Sequence, residues 1–208
     1  MSKKTAFVFA GGASLGAFEV GMLKCLNENG IRADMVLGTS VGSLNGAFYA
    51  SDPTPEGIQK LEEIWARIKF SDVFSPSPIT PVKTIFTFGK NFISPKNLRK
   101  VIQEYLPIER IEDAKIPLYL ITTDIRRGQE VVLNRGILLE ALMSSVAIPG
   151  VFPPQHMGEY TLVDGGLVNN AAISTAIRLG AERVIVFPIG FPNSPDHDPK
   201  NMERIKQF

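Results

Sequence analysis

The sequence is poor in the side chains that usually build disulfides, metal centres and histidine-dependent catalytic sites. It contains one cysteine and two histidines in 208 residues, so an internal disulfide is excluded. Neither sign of charge is in excess, because 22 Lys and Arg stand against 21 Asp and Glu for a formal net charge of +1. Such a chain has no long-range field that would attract nucleic acid. We therefore expect no nucleic-acid partner.

Long hydrophobic runs are also missing. No apolar run approaches the roughly 18 residues of a membrane-spanning helix. The first apolar stretch, TAFVFA over residues 5–10, is shorter than the roughly 7 to 15 residues of a signal-peptide core. The single cysteine fits a reducing compartment. We therefore expect a cytoplasmic protein, for which any membrane contact is peripheral.

Strands and helices are predicted to alternate along the chain, which favours an α/β fold with a mainly parallel central sheet flanked by helices. Predicted strands cover residues 5–10, 34–39, 118–124, 130–134, 160–163 and 183–189. Predicted helices begin near residues 15, 40, 54, 94, 137 and 171. In the first helix Cys25 shares a face with Phe18 and Met22, and this spacing predicts a buried core thiol.

No internal repeat or break in composition divides the chain. We therefore expect a single domain over residues 1–208, with an irregular proline-containing tail over residues 192–208. This tail is also compatible with a chain that is truncated at its C-terminus.

The segment Gly38-Thr39-Ser40-Val41-Gly42 has the pattern G-x-S-x-G between a predicted strand and a predicted helix. That context is typical of a nucleophile elbow, in which a sharp turn raises the serine hydroxyl above the sheet. The flanking glycines Gly38 and Gly42 avoid collisions with the neighbouring backbone. The alternative is a glycine-rich turn without catalysis.

A serine nucleophile needs a base, and the two histidines are poor candidates. His156 follows two prolines in a predicted loop, and His197 lies between two aspartates in the irregular tail. Asp164 is the other candidate, because it follows a predicted strand directly and Gly165 and Gly166 leave its carboxylate accessible. The alternative is an ordinary Asp-Gly turn.

The stretch AGGASLG over residues 10–16 places glycines between a strand and a helix. Backbone N–H groups at such a position suit either a phosphate or the oxyanion of an acyl-transfer reaction. The loop matches neither G-x-x-x-x-G-K-[ST] nor G-x-G-x-x-G, so the phosphate alternative is weaker. Paired with the elbow, the oxyanion interpretation is preferable.

At these places the chain resembles the patatin-like phospholipases, a family of lipid acyl hydrolases with a Ser-Asp dyad. AGGASLGA, GTSVG and DGG occur in the family's order, and MSSVAIPGVFPP over residues 143–154 resembles the passage before the family's catalytic aspartate. The resemblance implies a patatin-like three-layer fold without metal or cofactor. It also implies that Ser40 is the nucleophile and Asp164 the base, with an oxyanion hole formed by the amides of Gly11, Gly12 and Ala13.

The glycine loop departs from the family's usual G-G-G-x-[RK]-G at two positions. Ala13 stands at the third glycine and Leu15 at the basic residue. The backbone donors survive both changes, whereas a charge that could orient the loop or bind a head group is lost. The departure bears on substrate choice more than on reaction type and leaves room for short or neutral esters.

The phenylalanine-rich stretch over residues 70–93 contains five of the thirteen phenylalanines. It is too apolar for a solvated loop, so we expect it to cover something. The alternatives are a second layer of core, a wall of an acyl-chain pocket, or a flap that makes transient contact with a membrane surface.

The sequence thus predicts a serine hydrolase that cleaves acyl esters of lipids. An acyltransferase that uses the same dyad remains an alternative. A non-catalytic lipid-binding or acyl-binding protein and a nucleotide-binding domain are rivals of other classes.

Overall fold

The computed structural model describes residues 3–12, 15–68 and 95–189. Seven strands lie within these residues: β1 Thr5–Phe9, β2 Met35–Thr39, β3 Leu118–Asp124, β4 Gln129–Leu133, β5 Gln155–Met157, β6 Tyr160–Asp164 and β7 Arg183–Phe187. The α-helices of the described ranges are α1 Gly16–Glu28, α2 Val41–Ser51, α3 Pro55–Arg67, α4 Pro95–Tyr105, α5 Leu138–Ser145 and α6 Ile173–Arg178. Short 3-10 turns cover Ile111–Asp113 and Gly165–Leu167.

All seven strands form one sheet, with the order β5-β6-β3-β2-β1-β7 and with β4 also paired to β3. The neighbours β7, β1, β2 and β3 run parallel. The pairs β3-β4, β3-β6 and β5-β6 are antiparallel. The predicted α/β fold with mainly parallel strands flanked by helices is confirmed, and antiparallel strands extend it on the β3 side.

Strands β2 and β6 approach each other end to end along one edge of β3. Strand β2 pairs with Leu118 to Ile121 and β6 pairs with Thr122 to Asp124, whereas β4 spans both regions of β3 from the opposite edge. Since β2 is parallel to β3 and β6 is antiparallel to it, the carboxyl ends of β2 and β6 meet beside Ile121 and Thr122. Each of these ends carries one of the predicted site motifs.

Two apolar cores fill the spaces on either side of the sheet. Alternate residues of β1 point to opposite faces, so Phe7 and Phe9 pack beneath α1 to α5, whereas Ala6 and Val8 pack beneath α6. Helix α3 shows how a sequence signal fixes an element: Thr54 accepts a 3.1 Å hydrogen bond from Gly57 N, with proline at the first helical position. Within this arrangement, the carboxyl ends of β1, β2 and β6 lie at the same part of the sheet.

The prediction of a buried thiol in α1 is wrong. Cys25 is exposed and Phe18 is 67% exposed, whereas Met22 is only partly buried. The buried face of α1 comprises Gly16, Glu19, Val20, Leu23 and Asn27. Two of these, Glu19 and Asn27, are polar, so a search for apolar residues alone misplaces the buried face.

The short strand β5 was not predicted, because three half-exposed residues after two prolines give no strand signal. Several other predictions lie outside the described residues: the phenylalanine-rich stretch 70–93, the tail 192–208, Ala13 and His197. Within the described ranges, no helix is both long and apolar enough to cross a membrane.

Candidate active site

Ser40 occupies a sharp turn between β2 and α2. Its φ of 53° and ψ of −126° lie in a region that L-residues rarely adopt. The glycines on either side make this turn possible. A Cβ at Gly38 would lie 2.5 Å from the Gly42 carbonyl oxygen, and one at Gly42 would lie 2.5 Å from the Phe9 carbonyl oxygen. The turn therefore has the geometry expected of a nucleophile elbow.

The backbone of Ser40 is held from both sides. Its N–H donates to Ser145 Oγ at 3.0 Å, and that hydroxyl donates in turn to the Ile121 carbonyl at 2.7 Å. The Ser40 carbonyl accepts from Ser43 N at 2.9 Å and from Ser43 Oγ at 2.5 Å. These bonds connect the strained residue to strand β3 and to the first turn of α2.

Asp164 ends β6 and lies opposite Thr122. One carboxylate oxygen accepts a 2.8 Å hydrogen bond from Gly166 N, and the Asp164 N–H donates to the Ala147 carbonyl at 3.0 Å. A Cβ at Gly165 would lie 2.4 Å from the Ile121 carbonyl oxygen, so the chain can turn this closely against β3 only with glycine there. The turn places the carboxylate beside the elbow.

Ser40 and Asp164 are both shielded from water, with exposed fractions of 7% and 6%. Burial raises the pKa of the Asp164 carboxyl, while hydrogen bonding with the Ser40 hydroxyl and with Gly166 N lowers this pKa to a lesser extent. A carboxylate with a raised pKa is a better proton acceptor than an ordinary aspartate. The structure thus brings the two predicted side chains together in an arrangement that can activate a hydroxyl.

The glycine loop passes directly over Ser40. A Cβ at Gly11 would lie 3.1 Å from Ser40 Cβ and 2.5 Å from Asn170 Oδ1. The Gly11 N–H donates to the Asn170 carbonyl at 3.2 Å and is therefore engaged. The N–H of Gly12 has no acceptor among the described residues. Of the three predicted oxyanion donors, Gly12 is thus the one that the described chain leaves available, and Ala13 lies outside it.

A buried carboxylic acid lies behind this loop. Glu19 is fully buried, and one of its oxygens accepts from Asn45 Nδ2 at 2.8 Å while Oε1 has no partner. Burial raises the pKa of Glu19 to about 8, against smaller lowering effects of Asn45 and the Ala10 N–H. Asn45 also accepts from the Trp65 indole at 2.8 Å. The network links α1, α2 and α3 beneath the start of the loop.

The described histidine is not part of this constellation. His156 is exposed on β5, and its Nδ1 lies 3.4 Å from Thr161 Oγ1. In the described part of the chain, no group of three His, Cys, Asp or Glu side chains is placed to hold a metal ion. The titratable side chain that the structure places beside Ser40 is the Asp164 carboxyl.

Two residues of the site were not predicted. Ser145 lies within the passage that resembles the family, but the sequence pattern does not assign it a role. Asn170, six residues after Asp164, hydrogen-bonds to Gly11 through both its backbone and its side chain. An asparagine in a loop carries no signal that points to a partner so far away in sequence.

Comparisons with known proteins find a family model and relatives that cover most of the chain. The family model described as patatin-like phospholipase matches residues 7–177. Human patatin-like phospholipase domain-containing protein 6 is 32% identical over 194 residues, which cover 92% of this chain and 14% of the relative. Neuropathy target esterase sws from Drosophila melanogaster is 31% identical over 192 residues, which cover 91% of this chain and 13% of that protein. The chain thus spans about a seventh of the length of these relatives.

Among solved structures, VipD from Legionella pneumophila has a TM-score of 0.62 at 13% sequence identity. The match covers 99% of this chain and 54% of that one. At this identity the match supports the fold alone. The family model extends from β1 through the elbow and the DGG turn into α6, and on this evidence the chain belongs to the patatin-like phospholipase family.

Proposed function

We propose that this protein is a serine acyl hydrolase that cleaves ester bonds of lipids through a dyad of Ser40 and Asp164. The observation that carries the proposal is the pairing of a buried serine at positive φ with a buried carboxylate of raised pKa. The lipid substrate class is supported by membership of the patatin-like phospholipase family. No metal or cofactor has a step in the mechanism.

The first half of the reaction forms an acyl-enzyme. Asp164 takes the proton of the Ser40 hydroxyl as Oγ attacks the ester carbonyl carbon. The carbonyl oxygen becomes an oxyanion and accepts a hydrogen bond from the Gly12 N–H. The family resemblance implies a second hydrogen bond, from the Ala13 N–H. When the intermediate collapses, the C–O bond to the alcohol breaks and the proton on Asp164 passes to the departing alkoxide.

The second half releases the acid. Asp164 takes a proton from a water molecule while the water oxygen attacks the acyl carbon, and the same donors stabilise the second oxyanion. Collapse of this intermediate breaks the bond to Ser40 Oγ, and the proton returns from Asp164 to Ser40. A single carboxylate can serve both halves because each half returns it to its ionised state.

The proposal is tested with the purified protein and three substrates: phosphatidylcholine vesicles, lysophosphatidylcholine micelles and a short p-nitrophenyl ester. Free fatty acid or p-nitrophenol is measured for wild type, Ser40→Ala and Asp164→Asn. Loss of an acting group should lower kcat by about 10³-fold or more. The matched controls are Ser51→Ala, at the far end of α2, and Asp34→Asn, whose carboxylate accepts from Thr5 N. Both controls should retain activity.

Two outcomes would redirect the proposal. Equal turnover in Ser40→Ala and wild type would show that the hydrolysis, if any, does not use this serine. A lipid product that forms only when an alcohol or lysolipid acceptor is added would assign the dyad to acyl transfer instead of hydrolysis.

A further inference from the structure

Asn170 grips the glycine loop with two of its own groups. Its backbone carbonyl accepts the Gly11 N–H at 3.2 Å, and its side-chain Nδ2 donates to the Gly11 carbonyl at 3.1 Å. Both polar groups of Gly11 are therefore engaged by one residue 159 positions away in sequence. A side chain at position 11 would collide with Asn170 Oδ1, which explains why this position is glycine.

The hydrogen bond from Asn170 to the Gly11 carbonyl also fixes the orientation of the Gly12 N–H. The Gly11 carbonyl and the Gly12 N–H belong to one planar peptide unit, and the described chain contains no cis peptide bond. In a trans peptide the C=O and N–H bonds point in opposite directions. A bond that fixes the carbonyl towards Asn170 therefore directs the Gly12 N–H away from Asn170.

We propose that Asn170 is a positioning residue for the oxyanion hole: by holding the Gly11 carbonyl, it sets the direction of the Gly12 N–H. The inference rests on the proposed function, since it assigns the Gly12 N–H to the developing oxyanion. An oxyanion donor acts through preorganisation, because a donor that is already aimed needs no reorganisation when charge develops. Asn170 would fix the direction of this donor before the substrate reacts.

The segment that carries Asn170 is itself anchored to both catalytic strands. The Asn169 carbonyl accepts from Thr39 Oγ1 at 3.2 Å, next to the elbow, and Asn169 N donates to the Gly165 carbonyl at 2.9 Å. The Asn169 side chain donates to Glu130, which also accepts from Arg178 at 2.8 Å. These bonds fix the position of Asn170 relative to Ser40 and Asp164. Through Asn170 they also fix the position of the glycine loop.

The chemistry of this contact requires a side-chain donor. Alanine at position 170 removes the bond to the Gly11 carbonyl and leaves the backbone bond intact. Aspartate has the shape of asparagine but places an acceptor oxygen against the Gly11 carbonyl oxygen, which replaces an attraction by a repulsion. Alanine should therefore leave the Gly11–Gly12 peptide free to rotate, and aspartate should turn the Gly12 N–H away from the oxyanion.

The test uses an alkyl trifluoromethyl ketone, which adds to a serine hydroxyl and forms a tetrahedral oxyanion. Its inhibition constant is compared with the KM and kcat for an ester of the same chain length in wild type, Asn170→Ala and Asn170→Asp. We expect the inhibition constant to rise and kcat to fall by about 10- to 100-fold, less than the roughly 10²- to 10³-fold of a donor removed outright. KM should stay within about twofold, because ground-state binding does not use the oxyanion.

The matched control is Asn169→Ala, which weakens the same segment at Glu130 but leaves the bonds of Asn170 to Gly11. It should lower Tm but leave KM and the ratio of the inhibition constant to KM unchanged, because Asn169 keeps its backbone bonds to Thr39 and Gly165. Asn170→Asp preserves the shape of the side chain. The inhibition constant and KM of this variant therefore test the proposal even if the alanine variant does not fold. Unchanged ratios in both position-170 variants, or changes that match those of Asn169→Ala, would overturn the assignment of Asn170. A wild type that forms no ketone adduct would overturn the proposed function, and this inference with it.

Discussion

Ser145 connects Ser40 to the neighbouring strand β3. It is fully buried, and its hydroxyl bridges the Ser40 N–H and the Ile121 carbonyl. A residue held at positive φ persists only where its surroundings over-determine that conformation. We infer that Ser145 is one of the contacts that keep Ser40 in the elbow conformation.

Replacing Ser145 by alanine should affect both stability and chemistry. The change leaves a buried N–H and a buried carbonyl without this partner, which costs about 1 to 3 kcal/mol of unfolding free energy. It should also lower kcat more than it changes KM, because the elbow loses a support. Ser144→Ala is the matched control: Ser144 is equally buried in the same helix, but its hydroxyl bonds to the Glu140 carbonyl. Urea unfolding and ester hydrolysis of both variants check this, and equal kcat values in the two would contradict it.

The residues of the site differ in how far local sequence can reveal them. Ser40 and Asp164 were predicted because each stands in a turn that needs glycines at fixed spacing, and such a requirement is visible in a few neighbouring letters. Ser145 and Asn170 act through contacts to residues 105 and 159 positions away. Their own neighbours do not encode those contacts, so a single sequence provides no signal for the role of either one.

At the scale of elements, α2 is the helix that meets the sheet most closely. A Cβ at Gly42 would lie 2.5 and 2.6 Å from the carbonyl oxygens of Phe9 and Ala10, at the end of β1, and one at Gly46 would lie 3.0 Å from Val36 Cγ1 of β2. Polar side chains such as Ser43 and Asn45 are buried along the same helix. The apolar periodicity predicted the helix correctly, but the nearly complete burial follows from glycines and internal hydrogen bonds.

Gly42→Ala should therefore push α2 away from β1. Backbone atoms rather than flexible side chains are in the way, so we expect a loss of about 1 to 3 kcal/mol in unfolding free energy and a displaced elbow. Gly21→Ala in α1 is the control, since its Cβ would meet nothing within 4 Å. That change should stabilise the protein by about 0.5 to 1 kcal/mol through helix propensity. Thermal and urea unfolding measure both, and a harmless Gly42→Ala would contradict the close packing.

The helix faces show where periodicity fails. In α1 the apolar residues Phe18 and Met22 suggested a buried face that includes Cys25, whereas the structure buries Glu19 and Asn27 instead. Glu19 can be buried because Asn45 of α2 offers it a hydrogen bond. This hydrogen bond is a tertiary contact with another helix. The residue pattern within α1 therefore does not reveal that Glu19 is buried.

At the scale of the whole molecule, the site exists because two strands of opposite direction end at the same place on β3. The alternation of strands and helices predicted the parallel part of the sheet. The antiparallel return of β6, which brings Asp164 to the carboxyl end of β2, could not be deduced from its residues. Strand order depends on long-range pairing, and local signals for β6 are the same in either direction.

The buried Glu19 should make the stability of the whole fold depend on pH. In the unfolded chain its pKa is near the ordinary 4.5, and in the folded protein burial raises it to about 8. Between these values the folded state binds more protons, so the unfolding free energy falls as pH rises, with a limiting slope of about 1.4 kcal/mol per pH unit. Glu19→Gln, which mimics the neutral acid, should remove this part of the slope.

Urea unfolding of wild type and Glu19→Gln at pH 5, 6, 7 and 8 measures the effect. The difference in unfolding free energy should grow with pH in favour of the variant. Stability curves that remain parallel over this range would show that Glu19 does not carry its proton into the folded state.

The measurement that tests the central claim most directly is the rate at which a fluorophosphonate modifies Ser40. It is followed by peptide mass spectrometry in wild type and Asp164→Asn between pH 4 and 8. We predict an adduct on Ser40 whose rate falls by about 100-fold or more in the variant, as expected for loss of a general base. In wild type the rate should rise with pH through a midpoint above the ordinary aspartate pKa of 3.8, because burial raises the pKa of Asp164. A folded protein that is not labelled on Ser40, or that is labelled equally fast without the carboxylate, would contradict the dyad.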